Sequence, residues 1–260
     1  MKPVIGLVLL GLFHSNADGS QADGDLRIVN GYELDISSAK YALSLWVDGN
    51  FQCGASIITL SHALTAGHCV YNYINYPSRI TLNGGSTSPT FGGFTIPVVA
   101  VAVHPNYNAN AYALVSDFDA AVLTVPVNEF GGKPNMAPIE LAFAETPVGT
   151  TCYVVGWGRT NFNVPVFANS LRYAYMDIIS LDTCAAVSAP STITSNMICA
   201  KYPYGVDTCK GDSGGALICK ERLSGIISFT NNECNSFLPA GFANVLAPSI
   251  RSFIATQTGI

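Results

Sequence analysis

Eight cysteines constrain the fold of this chain more than any other feature of its sequence. What they form depends on the compartment, which the N-terminus predicts. A positive charge at Lys2 precedes an uncharged apolar run over residues 3–13, and a small-x-small cleavage site follows at 15–17. The run is too short to cross a hydrocarbon core about 30 Å thick at about 1.5 Å per residue. We therefore expect residues 1–17 to be a signal peptide and the protein to be secreted and extracellular, with no membrane partner.

In an oxidising compartment, an even number of cysteines predicts a set of disulfide bonds with no cysteine left free. A zinc site is the weaker interpretation, because the chain has no C-x-x-C pair and because His62 and His68 lack a second clustered set of ligands. Eight cysteines allow about 105 pairings, so the connectivity stays open at this point.

Composition excludes two classes of protein. Hydrophobic residues make up 49% of the 260 positions, too many for a disordered chain and enough for a buried core. The net charge is −5, with only 12 Lys and Arg, so there is no cationic face to displace counterions from a polyanion. We expect no nucleic acid among the partners.

Short β-rich segments alternate with Gly, Pro and Asn along most of the chain, which predicts an all-β sandwich or barrel. The clearest segments are 41–47, 56–60, 98–103, 120–125, 152–155 and 223–229. One helix is predicted near the end, where Ile250, Phe253 and Ile254 follow Pro248 at helical spacing. The interval 126–148, rich in Pro and Gly, predicts a soft boundary between two β units.

Three short segments carry residues suited to catalysis, namely TAGHC (65–69), DFDAAVL (117–123) and GDSGG (211–215). Taken singly, each has a structural explanation: a packed histidine, a turn aspartate and a tight serine loop. Taken together they fit one mechanism. A serine hydroxyl becomes nucleophilic when an imidazole takes its proton, and an acceptor behind the imidazole fixes its tautomer. Glycines let backbone N–H groups approach a developing oxyanion.

These segments and four others carry a resemblance to a known family. The others are IVNG (28–31), CYVVGWG (152–158), ITSNMICA (193–200) and GIISF (225–229). From Ile28 to the C-terminal helix the chain resembles the trypsin/chymotrypsin family of serine proteases. Gly67 is a departure, since the usual histidine motif has alanine there. The resemblance implies an all-β fold of two packed six-stranded antiparallel β-barrels with a C-terminal helix.

The resemblance also implies a role for each catalytic residue. His68 is the general base, Asp119 orients it, and Ser213 is the nucleophile. The backbone N–H groups of Gly211 and Ser213 form the oxyanion hole. Asp117 is the rival for the aspartate, but we prefer Asp119 because the aspartate of the family directly precedes the apolar run.

Further implications concern the cysteines and the activation of the enzyme. The family framework pairs Cys53–Cys69, Cys152–Cys219, Cys184–Cys199 and Cys209–Cys234. Residues 18–27 become an activation propeptide and residues 28–260 the protease domain. Cleavage between Arg27 and Ile28 frees the amine of Ile28, which folds inward and pairs with Asp212.

The substrate pocket departs from that of trypsins at two positions. Asp207 corresponds to the pocket floor and favours Arg or Lys side chains in the substrate. Ser228, Thr230 and Ala240 line the walls, and the last two stand where trypsins have glycine. The alternatives are therefore an elastase- or chymotrypsin-like preference, or a catalytically silent binding homologue on the same fold.

No cofactor is expected. The region corresponding to the calcium loop of the family, residues 79–93, contains no Asp or Glu, so we predict no metal. The expected partners are protein or peptide substrates and protein protease inhibitors, and the protein is expected to be a monomer.

Overall fold

The computed structural model describes residue 1 and residues 31–111, 116–159, 166–189, 191–202, 208–229 and 238–260. Predictions about the signal peptide, the cleavage site at 27–28, Asp207, Thr230 and Cys234 lie outside the described residues. Within the described ranges, the chain forms two β-sheets and three α-helices.

The first sheet contains seven strands in the order β6-β5-β2-β3-β4-β8-β7. Their bounds are β2 (Ala42–Val47), β3 (Asn50–Ile57), β4 (His62–Thr65), β5 (Ile80–Gly84), β6 (Phe94–Pro97), β7 (Ala100–Val103) and β8 (Ala121–Thr124). The sheet curls because β6 and β7 belong to one bent stretch of chain. At the bend, the N–H of Val98 donates to Ile80 O and the N–H of Val99 donates to Thr124 O, at opposite edges of the sheet.

The second sheet closes on itself, in the order β1-β10-β11-β14-β13-β12-β9 with a further pairing of β9 to β10. Its strands are β1 (Tyr32–Glu33), β9 (Thr151–Gly156), β10 (Arg172–Ile179), β11 (Met197–Lys201), β12 (Ala216–Cys219), β13 (Arg222–Phe229) and β14 (Ala240–Asn244). Six strands thus form a barrel filled by apolar side chains such as Val154, Met176, Leu217 and Phe242. Strand β1 lies outside the ring, against the start of β10.

The helices are α1 (Gly67–Val70), α2 (Leu181–Ser188) and α3 (Pro248–Thr258). Three 3-10 turns cover Ile36–Ser38, Tyr71–Tyr73 and Pro77–Arg79. Helix α3 begins at a proline, which suits the first turn, and ends at Gly259 with φ 81°. It buries Ile250, Phe253 and Ile254. In the described part of the chain no helix has the length and apolar composition needed to span a bilayer.

The predicted fold class is confirmed: the chain is mostly β with a C-terminal helix. The first sheet is a curled seven-stranded sheet where six strands were expected, because the bend at 98–99 divides one stretch into β6 and β7. The segment predicted at 56–60 was only partly correct, since residues 56 and 57 alone belong to a strand. Strand β3 ends at Ile57, and the N–H groups of Ile58 and Thr59 both donate to the carbonyl of His62, at 3.0 and 3.2 Å, to make a turn.

Helix α2 was not predicted, and its sequence explains why. Only Cys184 of its eight residues is buried, so there is no apolar stripe at helical spacing to detect. Its start did carry a signal, since the hydroxyl of Ser180 accepts a hydrogen bond from Thr183 N at 3.1 Å, as an N-cap does.

Disulfide bonds link strands to helices and one strand to another. The structure contains the bonds Cys53–Cys69, Cys152–Cys219 and Cys184–Cys199. Cys209 is also disulfide-bonded, while Cys234, its expected partner, lies outside the described residues. The first of these bonds joins β3 to α1 and so fixes the short helix that carries His68.

Candidate active site

Strand pairing brings His68 and Asp119 together although 51 positions separate them. His68 lies in α1, which begins directly after β4, and Asp119 precedes β8 by two residues. Strands β4 and β8 are antiparallel neighbours in which Thr65 lies opposite Ala121. The end of β4 and the start of β8 therefore meet, and they carry the histidine and the aspartate to the same place.

The Asp119 carboxylate is fully buried and accepts three hydrogen bonds. His68 donates two of them, from its backbone N to Oδ1 at 2.8 Å and from Nδ1 to Oδ2 at 2.7 Å. The Ser228 hydroxyl donates the third, to Oδ2 at 2.6 Å. Because the carboxylate accepts a hydrogen bond from Nδ1, the proton of the neutral imidazole lies on Nδ1. Nε2 is therefore the nitrogen that can accept a second proton.

Asp117 makes different contacts. Its Oδ1 accepts hydrogen bonds from Thr194 Oγ1 at 2.9 Å and from Asn196 Nδ2 at 3.0 Å. It thereby joins its own loop to the loop before β11, and it contributes to structure rather than to the histidine. Of the two candidate aspartates, Asp119 is the one that the structure places against His68.

The loop around Ser213 packs on the strands that lead to His68. Gly54 N donates to Ser213 O at 2.8 Å, and Gly54 follows Cys53, the disulfide partner of Cys69. Gly214 has φ +78°, and a Cβ there would collide with Thr65 Oγ1 and Gly54 O. The loop can approach this closely only because residue 214 is glycine, and the approach brings the backbone of Ser213 beside the α1 segment.

Gly211 is required for a similar reason. Its φ is +98°, in the region that favours glycine, and a Cβ would lie 2.8 Å from a ring carbon of Phe167 and 2.9 Å from one of Phe51. These two rings contact each other edge to face, with centroids 4.8 Å apart. The aromatic pair therefore confines the backbone whose N–H was predicted to face the oxyanion.

Asp212 is a second buried aspartate, with 2% of its surface exposed. Its Oδ1 accepts from Gly158 N at 2.8 Å and its Oδ2 from Cys209 N at 2.9 Å. A Cβ on either Gly156 or Gly158 would overlap this carboxylate, so the two glycines make its cradle. Burial raises the pKa of Asp212 to about 6, while the two N–H groups act in the opposite direction. Among the described residues no cation pairs with it.

The described part of the predicted substrate pocket consists of Ser228 and Ala240. The position of Ser228 in the pocket wall stays a prediction, and the structure adds that its hydroxyl donates to Asp119 Oδ2. Ala240 is fully buried at the start of β14, opposite Ala200. Sequence reasoning missed a neighbouring pair, Phe229 and Gly241. The ring of Phe229 occupies the space that a side chain at 241 would need.

Cys53, His68 and Cys69 place potential metal-ligand atoms within 4.8 Å of one another. The two sulfurs are bonded to each other, so neither is a thiolate able to coordinate a metal ion. The cluster thus belongs to the histidine segment and its disulfide.

Comparison with known proteins places this geometry in a family. The family model for trypsin matches residues 28–253. A trypsin of Sarcophaga bullata is 32% identical over 255 residues, covering 96% of this chain and 94% of that protein. Trypsin-3 of Salmo salar is 33% identical over 211 residues, covering 80% of this chain and 83% of the relative. Among solved structures, neuropsin, a serine protease of mouse brain, superposes with a TM-score of 0.75 at 26% identity, covering 87% of this chain and 98% of neuropsin. The chain belongs to the trypsin family and is a serine-type endopeptidase.

Proposed function

We propose that the protein is a secreted endopeptidase that is made as an inactive precursor and hydrolyses peptide bonds after Arg or Lys through Ser213, His68 and Asp119. The observation that carries the proposal is the buried Asp119 carboxylate with its bonds from His68 Nδ1, His68 N and Ser228 Oγ. An aspartate with only a structural role needs no imidazole among its hydrogen-bond donors. A histidine that acts as a general base, in contrast, needs a carboxylate at Nδ1 to orient its ring.

The reaction follows the general mechanism of the trypsin family. Ser213 Oγ attacks the carbonyl carbon of the scissile peptide and passes its proton to His68 Nε2. Asp119 stabilises the imidazolium that forms, and the N–H groups of Gly211 and Ser213 bind the oxyanion. His68 then gives the proton to the leaving amine. A water molecule, deprotonated by the same imidazole, hydrolyses the acyl-enzyme and restores the serine.

The state of Asp212 supports activation by cleavage. A buried carboxylate that has only N–H donors among the described residues is held at a free-energy cost, which its raised pKa expresses. Cleavage between Arg27 and Ile28 supplies an α-ammonium group that lowers this cost by pairing with Asp212. Because Asp212 lies between Gly211 and Ser213, the ion pair orders the oxyanion-binding backbone. An Arg27→Gln variant should therefore stay inactive.

Preference for Arg or Lys rests on Asp207, and Ala240 narrows the pocket by one methyl group relative to a glycine. The alternative is an elastase- or chymotrypsin-like preference, if the side chains of the pocket wall keep long cationic side chains from reaching Asp207. We expect the enzyme to act as a monomer on protein and peptide substrates and to be subject to protein inhibitors.

The test is a substrate profile of the chain after cleavage at 27–28, using peptides that differ only in the residue before the scissile bond. The matched control is Ser213→Ala, cleaved in the same way. Rapid turnover after Arg and Lys, abolished in the control, is the expected result. Turnover only after small or apolar residues would overturn the specificity, and absence of both turnover and organophosphate labelling of Ser213 would favour a silent binding homologue.

A further inference from the structure

Arg172 is a buried cation with contacts to the N-terminal segment. It begins β10 and is 2% exposed. Its Nη1 donates to Gly31 O at 3.3 Å, and its Nη2 donates to Glu33 Oε1 at 2.9 Å. One guanidinium thus binds the segment at two points, 141 and 139 positions away in sequence. The proposed mechanism makes no use of this residue.

The sheet register places Arg172 between that segment and the cradle of Asp212. On one side Arg172 pairs with Glu33 of β1, and on the other it pairs with Gly156 of β9. Gly156 is one of the two glycines that the Asp212 carboxylate covers. Neighbouring strands lie about 4.8 Å apart, so two spacings put Glu33 about 10 Å from Gly156.

This distance lies within the reach of the new N-terminus. An extended chain advances about 3.3–3.6 Å per residue, so the five residues 28–32 that precede Glu33 span at most about 17 Å. The amine of Ile28 can therefore enter the cradle from a segment held beside β10, whereas a segment that leaves β10 carries the amine away from Asp212.

Among the described residues, few other contacts hold that segment. Strand β1 has two residues, and the next ladder bond is from Leu34 N to Leu171 O at 2.9 Å. The rings of Tyr32 and Tyr173 also touch, with centroids 5.6 Å apart. A two-residue strand contributes few hydrogen bonds, whereas a charge-assisted bond from a buried guanidinium is among the stronger ones.

We propose that Arg172 is a positioning residue for activation, which anchors residues 31–33 so that the amine released at residue 28 enters the Asp212 cradle. This inference rests on the proposed activation by cleavage. In this proposal Arg172 acts through β1 on Asp212 and thereby on the oxyanion-binding backbone.

The test compares three variants of the full chain. Arg172→Met removes both contacts at similar length, and Glu33→Gln removes only the charge of an exposed partner. The matched control is Arg222→Met, because Arg222 likewise bonds one carbonyl, Leu141 O at 3.5 Å, and one carboxylate, that of Glu140. Each protein is cleaved to completion between residues 27 and 28, as verified by mass. Its active sites are then counted by the burst of an acylating titrant, with and without millimolar Ile-Val dipeptide.

Loss of a charge-assisted bond should reduce the active fraction of cleaved Arg172→Met about tenfold. Turnover per titrated site should stay unchanged. Because Ile-Val supplies an untethered amine, it should restore most of the missing burst. Glu33→Gln should show a smaller loss with the same rescue, and Arg222→Met should titrate like the wild type.

A wild-type burst in cleaved Arg172→Met would overturn the proposal, and so would a loss that Ile-Val does not restore. If Arg172→Met does not fold, Glu33→Gln decides by the same two criteria. Failure of the activation scheme is a separate result, since the uncleaved wild type would then titrate as fully as the cleaved one.

Discussion

Two buried aspartates of the active-site region have opposite environments. Asp119 accepts hydrogen bonds from an imidazole, its backbone N–H and a hydroxyl. Asp212 is as deeply buried, but the described residues offer it only two backbone N–H groups, and its pKa is raised. The difference shows that the fold brings the histidine and the aspartate together by itself, and it fits the proposal that the oxyanion-binding loop depends on a charge supplied by cleavage.

The largest effect should come from the first aspartate. Asp119→Asn should lower kcat about 10⁴-fold in the cleaved enzyme, because the amide favours the wrong tautomer of His68. Asp117→Asn is the matched control. It weakens the bonds to Thr194 and Asn196, so we expect a lower melting temperature and less than about a tenfold change in kcat. Steady-state kinetics and thermal unfolding of both variants make the measurement.

Removing the second aspartate should have the next largest effect. Asp212→Asn leaves the α-ammonium without an ion pair, and the loop carrying Gly211 and Ser213 is no longer ordered around it. We expect kcat/KM of the cleaved protein to fall about 10²–10³-fold, the effect of losing an oxyanion donor. An Asp212→Asn variant as active as the wild type would show that the oxyanion-binding loop does not depend on the charge of Asp212.

The uncleaved protein should show the burial of Asp212 as a pH dependence of stability. Its pKa rises from 3.8 in the unfolded chain to about 6 in the folded one, so between these values the folded state holds more protons. The contribution of this group to stability therefore falls as pH rises from about 4 to about 6, by about 3 kcal/mol in total.

Urea unfolding of Arg27→Gln with and without Asp212→Asn, at steps between pH 4 and pH 7, isolates that contribution. The free energy of unfolding of the double variant should lack this fall between pH 4 and pH 6. Above pH 6 the double variant should be the more stable of the two proteins. The same pH dependence of the free energy of unfolding in both proteins would show that the Asp212 carboxylate is not held at a free-energy cost before cleavage.

The smallest predicted effect concerns the pocket. Ala240→Gly removes one buried methyl group from the wall and should raise kcat/KM for Arg substrates about tenfold, the lower end of the range for one methylene in a pocket. Substrates with small side chains before the scissile bond should lose a comparable factor or stay unchanged. An increase for small substrates alone would contradict the assignment of Ala240 to the pocket wall.

The sequence was sufficient to predict those parts of the molecule that depend on contiguous residues. The apolar run after Asp119 and the glycines around Ser213 are local patterns, and the β-rich composition of 152–155 and 223–229 predicted strands close to the observed bounds. It was insufficient where contacts join distant segments. The bond of Ser228 to Asp119 spans 109 positions, and that of Arg172 to Gly31 spans 141. Such pairs depend on strand register, which one sequence does not encode locally.

We propose that the histidine–aspartate pair is in place before activation and that the oxyanion-binding loop becomes ordered only after it. The most direct test is an active-site titration of one preparation before and after cleavage at Arg27–Ile28. We predict less than a few per cent of an equivalent before cleavage and about one equivalent after it. A burst of the same size in the uncleaved protein would contradict the account, since the loop would then be complete without the new amine.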